Sequence, residues 1–118
     1  MKARETMKEI TCRDMLRGNL ELLLLSTLNE ESKYGYLIQQ SLREGSMGEI
    51  DVKAGTLYPI LHKLEKAKLV KSRWDDSTGR RRKWYELTPS GRRQLKRLIE
   101  QWNRYSQCVE RFLEPATG

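Results

Sequence analysis

Gly55-Thr56-Leu57-Tyr58-Pro59-Ile60-Leu61-His62-Lys63-Leu64-Glu65-Lys66, followed further on by Gly79-Arg80-Arg81-Arg82-Lys83-Trp84-Tyr85, is the stretch on which the fold turns. Leu57, Ile60, Leu61 and Leu64 fall at i, i+3, i+4 and i+7, one apolar face of a helix. The other face presents Thr56, Tyr58, Pro59, His62, Lys63 and Lys66. Pro59 has no N–H to donate and crowds the turn before it, so it fits best in the first turn, with the helix starting near Thr56 or a few residues earlier. Residues 69–74 and 82–87 are two short runs containing Val, Trp, Tyr and Leu, separated by Asp75-Asp76-Ser77-Thr78-Gly79-Arg80-Arg81. A glycine-containing loop between two such runs predicts a β-hairpin.

Upstream, residues 14–28 carry leucines at 16, 20, 23, 24 and 28 on one stripe, widened by Leu22 and Leu25. Such a helix is too apolar for the surface of a small domain, so it is either central or shared with another subunit. A turn at 29–33 leads through Tyr34-Gly35-Tyr36 into a second helix ending near Glu44, with Leu37, Ile38 and Leu42 inside and Gly45 as its stop. The polar connection at 45–51 is longer than the ~3–4-residue turn of the simplest helix-turn-helix. Downstream, Thr88 is placed to cap a last helix with Pro89 at its first position. Leu95, Leu98, Trp102, Tyr105, Val109 and Phe112 follow at spacings of 3, 4, 3, 4 and 3, a heptad seam. A helix from Pro89 to Leu113 is roughly 37 Å long and overshoots a small core. Its far half needs apolar cover, from the first helix of the same chain or from a second subunit. The excess of leucine in the first helix favours the second subunit.

Charge sharpens this order of elements. The 118 residues include 23 Lys+Arg and 16 Asp+Glu, a net of +7. Residues 71–97 hold ten basic and three acidic side chains, a net of +7, while 1–70 and 98–118 are near neutral. Arg80, Arg81, Arg82 and Lys83 repel one another, which points to an anionic partner for the hairpin. A chain this short buries only about two-thirds of its unfolded surface, so pairing of subunits is a welcome source of further burial. There is no apolar run of the ~18 residues a membrane span needs, and the first ten residues are too polar for a signal peptide. Cys12 and Cys108 form no disulfide framework, which fits a reducing cytoplasm. His62 is the only histidine, so a single chain can build neither a catalytic triad nor a multi-histidine metal site. Glycine patterns of nucleotide-binding loops are absent too, and no cofactor is expected.

Helix, helix, amphipathic helix, basic hairpin, long heptad helix: the expected fold is mainly α with a small β-hairpin, a winged helix-turn-helix over 1–87 and a dimerisation helix over 88–118. A helix fits the major groove, where base edges carry a distinct code, and an arginine-rich hairpin suits the backbone or minor groove. Two such units on a dimer match a pseudo-palindromic site in double-stranded DNA. The expected DNA contacts are Tyr34, Tyr36, Thr56, Tyr58, Pro59, His62, Lys63, Lys66, Arg80, Arg81, Arg82 and Lys83, and the expected dimer interface is Leu16, Leu20, Leu95, Leu98, Trp102, Tyr105, Val109 and Phe112. The rival expectation is an adapter that dimerises through the last helix and binds an acidic protein through the basic hairpin.

Tyr34-Gly35-Tyr36, Gly55-Thr56-Leu57-Tyr58-Pro59, Leu64-Glu65, Leu69-Val70, Gly79-Arg80-Arg81-Arg82-Lys83-Trp84-Tyr85 and Leu87-Thr88-Pro89-Ser90-Gly91 follow one another in an order that resembles the PadR family of transcriptional regulators. The short tail is similar to the subgroup that includes multidrug-responsive repressors. The resemblance implies a homodimer that represses its promoter and releases DNA when a small molecule binds, with the last helix packed on the first helix of the partner. It further implies that Leu98, Trp102 and Tyr105 line a pocket for a planar aromatic effector; the alternative for Trp102 is a seam residue with no pocket. Two departures stand out. Ala67-Lys68 replaces the usual glycine after the recognition helix, which asks Lys68 to adopt a left-handed conformation. Trp84 replaces the more usual tyrosine on the wing.

Overall fold

The structure, a computed structural model, describes residues 18–117. The expected start of the first helix, with Leu16, lies outside the described residues. Within them the chain forms α1 (Leu20–Thr27), β1 (Lys33–Tyr34), α2 (Gly35–Gly45), α3 (Ala54–Lys66), β2 (Val70–Asp75), β3 (Arg82–Leu87) and α4 (Pro89–Thr117). This is a mostly helical winged helix, as expected. Its sheet is antiparallel with strand order β1-β3-β2, so the expected hairpin gains a third strand through the pairs Lys33↔Tyr85 and Tyr34↔Trp84. Two residues show no alternation of their own, which is why β1 left no trace in the sequence.

The core gathers Leu24, Leu25, Leu28, Ile38, Leu57, Leu61, Leu64, Val70, Tyr85, Leu87 and Leu95. The leucine excess of α1 has a local explanation, because α1 packs against both α2 and α4. Leu20, Leu24 and Leu25 are buried, while Leu22 and Leu23 pack on the core edge. The first half of α4 therefore covers α1 within one chain.

Three boundaries depart from expectation. Gly45 does not stop α2; it is the last helical residue, and the chain reverses at Met47 (φ 55°) and Gly48 (φ 84°). The connection that follows is pinned by buried Ile50 and Val52, with Gln39 Nε2 donating to the Val52 carbonyl at 2.8 Å. Second, α3 starts at Ala54, within the expected range, yet Pro59 is its sixth residue and lies in the second turn rather than the first. The lost backbone bond falls on Gly55, an exposed residue whose carbonyl water can reach, which limits the penalty. Third, α4 runs to Thr117 instead of 113, giving 29 residues and about 43 Å at ~1.5 Å per residue.

Two other joints match expectation. Lys68 is left-handed (φ 62°), and the end of α3 is a Schellman turn: Lys68 N–H donates to Glu65 O and Leu69 N–H to Leu64 O, both at 2.9 Å. Thr88 caps α4 by accepting the Gly91 N–H on Oγ1 at 2.9 Å, while its hydroxyl donates to Lys68 O at 2.7 Å. A Cβ on Gly91 would run into the Leu69 carbonyl, so only glycine lets the first turn of α4 sit this close to the end of α3.

Candidate nucleic-acid interface

Leu57, Leu61 and Leu64 anchor α3 in the core, and that rotation sets what it shows to solvent. Thr56, Tyr58, Pro59, His62, Lys63 and Lys66 are all exposed. The wing stands beside them. Along β3 the inner positions Tyr85 and Leu87 are buried, and Lys83 shares their face; Arg82, Trp84 and Glu86 point the other way. The basic run is therefore split by the pleat of the strand.

Between the start of α2, the side of α3 and the wing lies an open cleft of about 700 Å³. Its walls include Tyr34, Tyr36, Tyr58, His62, Arg80, Arg81, Arg82 and Lys83, eight of the twelve expected contact residues. Thr56, Pro59, Lys63 and Lys66 are not part of it and lie on the exposed surface of α3. Tyr58 packs over Gly35: its hydroxyl end lies where a Cβ on residue 35 would be, so any larger residue there displaces the Tyr58 side chain. Tyr36 is 57% exposed, and Tyr34 sits edge-on to Trp84 with ring centroids 5.0 Å apart.

The arginines are backed by rings. The Arg82 guanidinium lies 4.4 Å from the Tyr34 ring centroid, Arg81 lies 4.7 Å from that of Trp74, and Arg73 lies 5.9 Å from that of Trp84. Each ring backs a planar cation by its face, while Arg82 Nη1 also donates to Thr78 Oγ1 at 3.4 Å and Arg73 Nη1 lies 3.5 Å from Asp75. Trp74 and Arg73 were missed as functional candidates. Only the strand register, Trp74↔Lys83 and Arg73↔Trp84, brings them to the basic run. Lys83 is different: its Nζ lies 3.6 Å from Glu65 Oε1, and its side chain is only 30% exposed.

The wing tip is locally braced. Asp75 accepts the Ser77 N–H at 2.9 Å and lies 3.5 Å from Arg73. The Ser77 backbone and hydroxyl, then Arg73, lower the Asp75 carboxyl below its ordinary value. Burial, then the Glu65 carboxylate, push the Tyr85 phenol above its ordinary value. Among the described residues no cluster of three His, Cys, Asp or Glu could hold a metal ion. No helix among them is long and apolar enough to cross a membrane.

A second recess of about 380 Å³ lies between α1 and the middle of α4, where Leu98, Trp102 and Tyr105 face Gly18, Asn19, Glu21 and Leu22. Trp102 is 41% exposed there, tilted 46° to Tyr105 at 6.1 Å. Of the expected interface residues, Leu20 and Leu95 are buried inside this chain's own core. Val109 is half-buried, and Tyr105 and Phe112 are 63% and 78% exposed. α4 also exposes Ile99 in its first half and Leu113 near its end.

Residues 24–97 match the profile of the transcriptional regulator PadR-like family. A transcriptional regulator from Clostridium thermocellum is 32% identical, with 85% of this chain and 98% of that one covered at a TM-score of 0.78. A PadR family transcriptional regulator from Eggerthella lenta is 37% identical, covering 86% and 87% at a TM-score of 0.76. PadR of Bacillus subtilis, solved in complex with operator DNA, is 27% identical over 68% of this chain and 46% of its own, at a TM-score of 0.61. The profile match, the fold and the in-order motifs agree: the chain belongs to the PadR-like family, a family of transcriptional regulators and not of enzymes.

Proposed function

We propose that this protein is a homodimeric, DNA-binding transcriptional repressor that acts in the cytoplasm and releases its operator when a planar aromatic molecule binds. Residues 1–87 contact double-stranded DNA and 88–118 pair the subunits. In this reading α3 enters the major groove with Thr56, Pro59, His62, Lys63 and Lys66, while Tyr34, Tyr36, Tyr58 and Arg80, Arg81 and Arg82 grip the adjacent backbone or minor groove. Lys83 adds positive potential from the inner face. The observation that carries the reading is the cleft between α3 and the wing, where ring-backed arginines and three tyrosines line one surface beside the exposed face of the helix. The operator complex of the Bacillus subtilis relative supports it.

Dimerisation is supported by the exposed apolar residues of the outer half of α4, Trp102, Tyr105, Phe112 and Leu113. A two-fold pairing along this helix presents both recognition helices to a pseudo-palindrome. The effector reading rests on the recess at Leu98, Trp102 and Tyr105, which already has an aromatic wall in one subunit. The test is a mobility shift on the DNA upstream of the protein's own gene, beside an unrelated duplex, with sedimentation of the free protein. Retardation of the upstream fragment alone at ~150 mM salt, by a dimer, is expected; equal binding to both duplexes defeats specific repression. Phosphate contacts should also give a steep fall of affinity with salt, about 10³-fold or more between 50 and 200 mM if six or more phosphates are engaged.

A further inference from the structure

Glu65 is the only acidic residue of α3, a helix whose exposed face carries Lys63 and Lys66 beside a basic wing. A carboxylate there repels DNA phosphates that come within about 8 Å, the distance beyond which physiological salt largely screens exposed charges. If charge alone mattered, this position would be neutral or basic. The side chain is instead fully engaged with the wing. Oε2 accepts the Ser72 hydroxyl at 2.5 Å, and Oε1 lies 3.6 Å from Lys83 Nζ. Ser72 belongs to β2 and Lys83 to β3, so one carboxylate on the recognition helix holds both strands of the hairpin. The group is only 34% exposed and Lys83 30%, which shields the pair from solvent more than the open pairs elsewhere on the surface.

Resting on the DNA-binding reading above, we propose that Glu65 is a positioning residue: it locks the wing to the recognition helix, so that Arg80, Arg81 and Arg82 are held at a set angle to α3 before DNA arrives. Three long arginine side chains on a hairpin that pivots freely lose orientation that must be recovered on binding; a fixed hairpin has lost it already. Lys83 serves as the wing's half of the lock. Its place on the inner face of β3, apart from Arg82, follows from the pleat.

The sign of the effect separates this from electrostatics. Glu65→Ala removes a negative charge from the helix that the reading above places in the major groove, so simple charge arithmetic demands tighter binding. The positioning role demands about fivefold to tenfold weaker binding of the upstream duplex by the full-length protein. Glu65→Gln keeps an oxygen that can accept the Ser72 hydroxyl, and its loss should be smaller than that of Glu65→Ala. The slope of log affinity against log salt should stay at the wild-type value, because no phosphate contact is removed. Equal or tighter binding by Glu65→Ala overturns the proposal.

A second measurement needs no DNA. Hydrogen exchange of the free protein should show faster exchange at 70–75 and 82–87 in Glu65→Ala, with α1 amides unchanged. Ser72→Ala, which cuts the tie from the wing side and leaves the charge in place, should act in the same direction. Unchanged wing exchange in both variants overturns the proposal even if wild-type protein binds no DNA, a result that by itself would defeat only the functional reading.

Discussion

Replacing Lys68 with glycine should make this protein more stable, although it removes a side chain and touches no core residue. Lys68 sits at φ 62°, and the Schellman turn needs that conformation, since its own N–H and that of Leu69 close back on Glu65 and Leu64 at 2.9 Å. A non-glycine residue in this region loses about 1–2 kcal/mol to the clash of its Cβ with the carbonyl. Glycine removes the clash but gives up about 0.5–1 kcal/mol through its freer unfolded chain. The net expectation is a gain of about 0.5–1 kcal/mol. For a chain of this size that raises Tm by roughly 2–6 °C. Lys68 is exposed, so loss of its charge changes stability little. Urea unfolding followed by circular dichroism measures the gain, with an unchanged m-value showing that the same surface is exposed. Lys68→Ala is the control: it shortens the side chain, keeps the Cβ and should gain nothing. A glycine variant no more stable than the alanine variant refutes the strain argument.

Other outcomes follow from the same geometry. Arg80→Ala/Arg81→Ala/Arg82→Ala should abolish retardation of the upstream duplex while sedimentation still reports a dimer, and any residual binding should show a salt slope shallower by ~0.9 for every phosphate no longer neutralised. Loss of the dimer together with DNA binding would mean the wing is structural. Gly35→Ala drives a Cβ into the Tyr58 ring and should cost about 1–3 kcal/mol, most of it recovered in Gly35→Ala/Tyr58→Leu; additive losses in a double-mutant cycle would show that the two positions do not touch. Planar aromatic molecules should quench tryptophan fluorescence in a manner that disappears in Trp102→Ala, and quenching retained in that variant would place the effector elsewhere.

Much of the architecture was legible because it rests on periodicity and local chemistry. The i, i+3, i+4, i+7 apolar residues of α3, the Thr88-Pro89 cap and the left-handed demand on Lys68 each involve residues within one or two turns of each other. The misread boundaries share a physical cause as well. Pro59 lies in the second turn of α3, which starts at Ala54 directly after a segment pinned by buried Val52, whose carbonyl accepts from Gln39. α2 ends at Gly45, close to the expected stop, but the backbone reversal comes later, at Met47 and Gly48, beside buried Ile50. Neither packing interaction is visible in a window of neighbouring residues.

By itself the sequence determined that the charge is concentrated in residues 71–97, that a polar-faced helix precedes a basic hairpin, and that the last helix carries an apolar seam. Spacing suffices for such features, because helical and strand periods decide which side chains share a face. Only the tertiary structure decided what each charge does. Strand pairing put Arg81 on Trp74 and Arg82 on Tyr34, while the pleat turned Lys83 inward to Glu65. It also divided α4 between two tasks, burying Leu95 against the chain's own core and leaving Tyr105 and Phe112 exposed. These assignments depend on packing between α3, the three strands and α1, formed by residues far apart in the chain, and the relative placement of packed elements is not written in the period of any one of them.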